Sequence, residues 1–264
     1  MGPLLLRNLR HMRALLVVLV IAMIGFQVLI TNLAAQFDAG PGLNEFFAML
    51  PEMLRRLVGS QIGELTFPGM VAFGFQHPML LVGALALMIL CGTIPAGDRD
   101  VGTLDLFLAR PIPRRRYVGA VLGCMVLGAM FLVLGMVIGN VIGLATVQVA
   151  TERPWTDYLP IALNLFSLLL AIGGIALLLA TGTGRRGTAV ARAVGVTLVL
   201  YLFESLGQLS DVTAQLSWLS PFHYFSPVRA LLAGGTPWYN APVLLAIAAV
   251  TALLAFRRFE RADA

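Results

Sequence analysis

Six stretches of the chain, near residues 14–35, 76–94, 117–147, 159–181, 189–208 and 241–256, are apolar almost throughout. A helix of about 20 residues rises about 30 Å, the thickness of a bilayer's hydrocarbon core. In lipid every backbone N–H and C=O must be paired within the segment, so runs of this kind fold as helices. The composition points the same way: 59% of the residues are apolar and 12% are charged, against about 25% charged in a typical soluble domain. Six spans consume roughly 120 residues, and the 264 present leave loops but no large soluble domain. The expected fold class is an all-α integral membrane protein with six transmembrane helices, its residues 1–264 forming a single transmembrane domain.

Six spans put both termini on one side, and arginine decides which. Arg7, Arg10 and Arg13 precede span one, and Arg99, Arg110, Arg114, Arg115 and Arg116 follow span two. Arg185, Arg186 and Arg192 lie at the next loop on that face, and Arg257, Arg258 and Arg261 close the chain. The other face holds Arg55, Arg56, Arg153 and Arg229. Cationic residues collect on the cytoplasmic side of short loops, so both termini are expected in the cytoplasm and the chain in the cell membrane as a multi-pass protein.

All 18 cationic residues are arginine, and no lysine is present. A Walker A loop needs a lysine to reach the terminal phosphates, and Schiff-base chemistry needs a lysine amine, so neither is expected of this chain. Cys91 and Cys124 sit in apolar runs as small hydrophobes, and His11, His77 and His223 lack ligand spacing. No metal, no bound cofactor and no nucleic-acid partner is expected.

The ends of the spans carry further signals. Leu4, Leu5, Leu6 and Leu9 alternate with Arg7, Arg10 and Arg13, predicting an interfacial elbow over residues 1–13. In the outer loop from Gln36 to Phe75, the residues Phe46, Phe47, Leu50, Met53, Leu54 and Leu57 recur at helical spacing, predicting an amphipathic interfacial helix. The outer loop 209–240 mixes Trp218, Phe222, Tyr224, Phe225, Trp238 and Tyr239 with three prolines. Such aromatics belong at the headgroup layer, which predicts broken helices dipping into the outer interface, with an ordinary covered loop as the alternative.

The inner loop 95–116 is the most specific stretch. It contains GDRDVGTLDLFLARPIPRRR over residues 97–116. Thr103 can cap a helix after Gly102, Asp105 suits its first turn, and Pro111 stops it after Arg110. Leu104, Phe107 and Leu108 share one apolar face, which can rest on lipid or enter a partner's groove. This run resembles the E-x-G-T-L-E-L-L-L-A-x-P signature of ABC-2 type permeases, the membrane subunits of type V-like ABC exporters. The segment LSPFHYFSPVRALLAG over residues 219–234 is similar to the stretch before their last membrane helix. The departures are Asp for Glu and Pro113 where Ser is common.

The resemblance implies a permease subunit that is not itself an enzyme: a homodimer of six-helix permeases served by two cytoplasmic ATPase subunits that bind ATP and Mg. The permease subunit would do no covalent chemistry. By the same resemblance, the loop helix is a coupling helix, with Asp98, Asp100, Gly102, Thr103, Leu104, Phe107, Leu108, Arg110 and Arg114 as the ATPase-coupling residues.

Glu204 is the one carboxylate deep in a span, where an ionisable group costs about 2.5–3.5 kcal/mol on insertion scales. Gln27, Asn140 and Asn164 fall at similar depth, so a polar layer lining a substrate path is one reading. A structural hydrogen-bond cluster, or a Glu204 that snorkels to the interface, is the other. Glu204 also supports the alternative function, a proton-coupled secondary carrier. An intramembrane hydrolase using Ser60 and His223 lacks a G-x-S-x-G frame. Gly135, Gly139 and Gly143 form a ridge for close helix packing, within the subunit or between subunits. The GTGRRG of residues 182–187 follows a membrane helix rather than a strand, so it reads as a basic inner turn and not a dinucleotide loop.

Overall fold

The computed structural model describes residues 2–38, 66–104, 113–147, 154–207, 215–232, 234–237 and 239–261. These residues are helical wherever they are regular, with no strand among them, and six helices are long and apolar enough to cross a membrane. The expected outer amphipathic helix, with Phe46 to Leu57, lies outside the described residues, as does Ser60.

The first helix, α1, runs unbroken from Gly2 to Asp38. At 1.5 Å per residue it is about 55 Å long, well beyond the hydrocarbon thickness. The expected elbow is therefore not a separate element. Between Pro3 and Gly25 no proline or glycine interrupts the helix, and its first turns pack on protein. Asn8 and Met12 are buried, and a Cβ on Gly123 would lie 3.3 Å from Leu5.

Span two also differs from its expected limits. It comprises α2 (Phe67–Gln76) and α3 (Pro78–Gly92), interrupted at His77. The residue before a proline is disfavoured in the α region, and His77 adopts φ −56° and ψ 125°. Thr66 caps α2 by accepting from the Gly69 amide at 3.2 Å, which carries the span nine residues further out than the hydropathy run. A short helix, α4 (Ile94–Asp100), follows α3 across Thr93.

The remaining spans are α5 (Arg114–Thr146), α6 (Leu159–Ala180, entered through a 3₁₀ turn at Trp155–Tyr158), α7 (Arg186–Gly207) and α9 (Asn240–Arg261). Helix α6 is central and packs against α3, α5, α7 and α9. Leu165, Leu168, Leu169, Ile172 and Leu177 bury almost completely there. Small residues permit the close approaches: a Cβ on Gly92 would sit 2.7 Å from the Gly173 carbonyl oxygen. The ridge on α5 faces α1, with Gly135 against Val20, Gly139 against Ile24 and Gly143 against Thr31. Its packing is within the subunit.

Between α7 and α9 the chain makes two 3₁₀ turns, Ser217–Leu219 and Pro221–Tyr224, and the short helix α8 (Pro227–Leu232). The hydroxyl of Ser220 donates to the Leu200 carbonyl at 2.9 Å, so the segment folds back along α7 in broken helical pieces, as its aromatic and proline content predicts.

Candidate functional site

Most of the expected site residues that the structure describes fall into two groups at opposite ends of the bundle, with Gln27 and Asn140 apart from both. The first surrounds α4, on the face that carries both chain ends. Asp98 is its centre. One carboxylate oxygen, Oδ2, accepts from Arg7 Nη2 and from the Tyr117 hydroxyl, each at 2.6 Å. The Thr103 hydroxyl lies 3.2 Å from Oδ1 and donates to the Asp98 carbonyl at 3.1 Å. These bonds bring α1, α4 and α5 together around one half-buried charge, and hydrogen bonds to an ionised group are among the stronger ones in proteins.

The two residues after Asp98 reach different helices. Arg99 donates to the Thr181 carbonyl at 3.0 Å, at the end of α6, and its guanidinium lies 5.4 Å from the centre of the Phe259 ring on α9. An Asp100 oxygen accepts from the Arg186 amide at 3.2 Å, an anionic cap on the first turn of α7, where the helix dipole favours negative charge. Arg114 donates to the Phe259 and Glu260 carbonyls at 3.3 and 2.9 Å, supplying cationic donors to the end of α9. Tyr117 stacks on Phe259 with centroids 5.5 Å apart.

Gly102 has φ +68°, a left-handed conformation that glycine adopts without steric penalty, and turns the chain toward Thr103 and Leu104. Leu104 is 4% exposed and belongs to the chain's own core. The amphipathic pattern defines a face but not its neighbour, and the structure places the first residue of that face inward. Phe107, Leu108 and Arg110 lie outside the described residues.

The second group lies toward the opposite end. Asn164 donates to the Tyr224 carbonyl at 2.6 Å, and Glu204 Oε2 lies 3.4 Å from His223 Nδ1. That ring nitrogen is also 3.0 Å from the Ser217 hydroxyl. Both neighbours meet the same nitrogen, so the three do not form a nucleophile–base–carboxylate relay of the hydrolase kind. Two of the four expected path residues thus converge on the 217–224 turns.

Gln27 goes elsewhere. Its amide donates to the Val71 carbonyl of α2 at 2.9 Å, and a Cβ on Gly74 would overlap its side-chain oxygen. Asn140 is buried on α5 at 2% exposure. The amide oxygens of Gln27, Asn140 and Asn164 have no hydrogen-bond partner among the described residues. Buried acceptors of this kind can receive a water or a ligand donor at little cost, because their desolvation is already incurred. Sequence reasoning missed Arg7, Tyr117 and Arg99 as parts of the first group. The available signal was an Asp-Arg-Asp run beside an apolar helix, and its partners are distant in sequence.

A family model for the multidrug efflux system permease Rv1217c, C-terminal domain, matches residues 2–260, a range that takes in all six spans and both groups. No curated protein and no solved structure matches the chain.

Proposed function

Because the chain belongs to the family of the multidrug efflux system permease Rv1217c, C-terminal domain, we propose that it is the ABC-2 type permease subunit of an ATP-driven exporter of drug-like amphipathic molecules. The family match across six spans carries this reading, and the GTLDLFLARP motif at residues 102–111 supports its ABC-2 form. In this reading the face with both termini is cytoplasmic and the membrane is the cell membrane. Two permeases pair, and two separate ATPase subunits bind ATP and Mg. The absence of lysine supports that division, since no Walker A loop can be built from this chain.

The segment beginning at Thr103 would dock on the ATPase. Leu104, held in the permease core, anchors its first turn, leaving Phe107 and Leu108 as the apolar pair for the partner's groove. Burying two large apolar side chains contributes about 3–6 kcal/mol. Gln27, Asn140, Asn164 and Glu204 would supply the polar contacts along the route of the substrate.

The test is purification of the tagged chain, alone and with the ATPase that accompanies it in its native membrane, followed by nucleotide binding and hydrolysis. The complex should hydrolyse ATP and the lone permease should bind none. Nucleotide binding by the lone chain, or efflux driven by a proton gradient without ATP, would overturn the reading. The second outcome would favour the carrier based on Glu204.

A further inference from the structure

Three consecutive side chains of α4 reach all the spans other than α3, to which α4 is joined through Thr93. Asp98 holds α1 through Arg7 and α5 through Tyr117. Arg99 holds the end of α6 through the Thr181 carbonyl and covers Phe259 of α9. Asp100 caps α7 at Arg186. The Arg186 side chain at the start of α7 lies over Gly97, where a Cβ would stand 3.0 Å from Arg186 Cδ.

We propose that Asp98, Arg99 and Asp100 are positioning residues that distribute a displacement arriving at Thr103 and Leu104 among the six membrane helices. This rests on the reading of the segment after Thr103 as the ATPase dock. The geometry supplies the linkage. Thr103 is bonded to Asp98 through both its carbonyl and its carboxylate, and Leu104 is packed in the core. A force on that turn therefore loads α4 directly.

The three arms also act on different parts of their targets. Asp98 grips two helices through side chains, a bidirectional tie that can pull as well as push. Arg99 and Asp100 bind backbone groups at helix ends, a carbonyl at the finish of α6 and an amide at the start of α7. They therefore hold the two ends of the 181–186 turn, and α6 and α7 would respond to α4 as a hinged pair. A segment that merely covered the bundle would need none of these specific bonds.

The experiment uses the permease–ATPase complex in sealed vesicles with ethidium as the transported probe, measuring ethidium moved per ATP hydrolysed. Arg7→Gln cuts the tie from Asp98 to α1, and Arg99→Gln cuts the α6 and α9 arm. Each variant should retain the ATPase on co-purification and keep hydrolysing, while ethidium moved per ATP falls about tenfold, the scale of one lost charge-assisted hydrogen bond. Arg7→Lys, which keeps the cation beside the Asp98 carboxylate, should recover at least half of the parental ratio.

A parental ratio in both glutamine variants overturns the proposal. So does a parallel fall of transport and hydrolysis at an unchanged ratio, which would assign these residues to stability alone. If the parent complex moves ethidium without ATP, the reading as an ATP-driven exporter fails first. That result is separable, because it appears in the parent before any variant is compared.

Discussion

The two ends of the bundle use polar side chains for different purposes. Around Asp98 ionised side chains join one helix to another, gripping either a side chain or the backbone at a helix end. Around residues 217–224 the donors are mostly neutral and serve the backbone: Asn164 bonds the Tyr224 carbonyl, Ser220 the Leu200 carbonyl and the Tyr224 hydroxyl the Trp218 carbonyl. The reason is the chain path. Short 3₁₀ turns leave carbonyls, such as those of Trp218 and Tyr224, that no helix pairs, and side chains supply the missing donors, while Ser220 ties the turns to a carbonyl within α7. One end is therefore organised by charge between helices, and the other by repair of broken helices.

The largest effect should come from removing the central charge. Asp98→Leu leaves the mostly buried Tyr117 hydroxyl and the partly buried Arg7 without their shared acceptor, and should lower stability by about 2–3 kcal/mol. Thermal unfolding in detergent measures it, and a melting point equal to that of the parent would erase the distinction between the two ends. Asn164→Leu should cost less, about 0.6 kcal/mol, the average for a hydrogen bond between membrane helices. If it proves the more damaging of the two, the neutral end is the one that holds the bundle. The smallest change in stability should follow Glu204→Gln, which keeps shape and hydrogen-bonding capacity. Measured beside transport at matched expression, it sharpens the comparison: lost efflux with an unchanged melting point assigns Glu204 to the substrate route, whereas parental efflux assigns it to the architecture.

Much of this layout is legible in the residues. Spans three to six fall within a few residues of their hydropathy runs, because apolar length is what lipid selects. The break at His77 was readable in principle from Pro78, but hydropathy averages over it. The directions of side chains were less accessible. Leu104 sits on an amphipathic face, and periodicity alone does not say whether that face meets lipid, a partner or its own core. Glu204 and Asn164 were identifiable as polar residues at depth, yet their shared neighbour depends on how residues 217–224 fold back. Arg7 lies 91 positions from Asp98, and no local pattern encodes such a pairing.

The glycine ridge on α5 limits how the first span can travel. Val20, Ile24 and Thr31 of α1 rest on Gly135, Gly139 and Gly143, and a Cβ on Gly139 would stand only 2.7 Å from the Ile24 carbonyl oxygen. The seam works as a rack whose teeth recur every four residues, about 6 Å along the axis. Smaller slides would drive the α1 backbone into the larger side chains between the glycines. Helices α1 and α5 consequently travel as one rod, and any rearrangement of the permease must be taken up along the other edges of that pair.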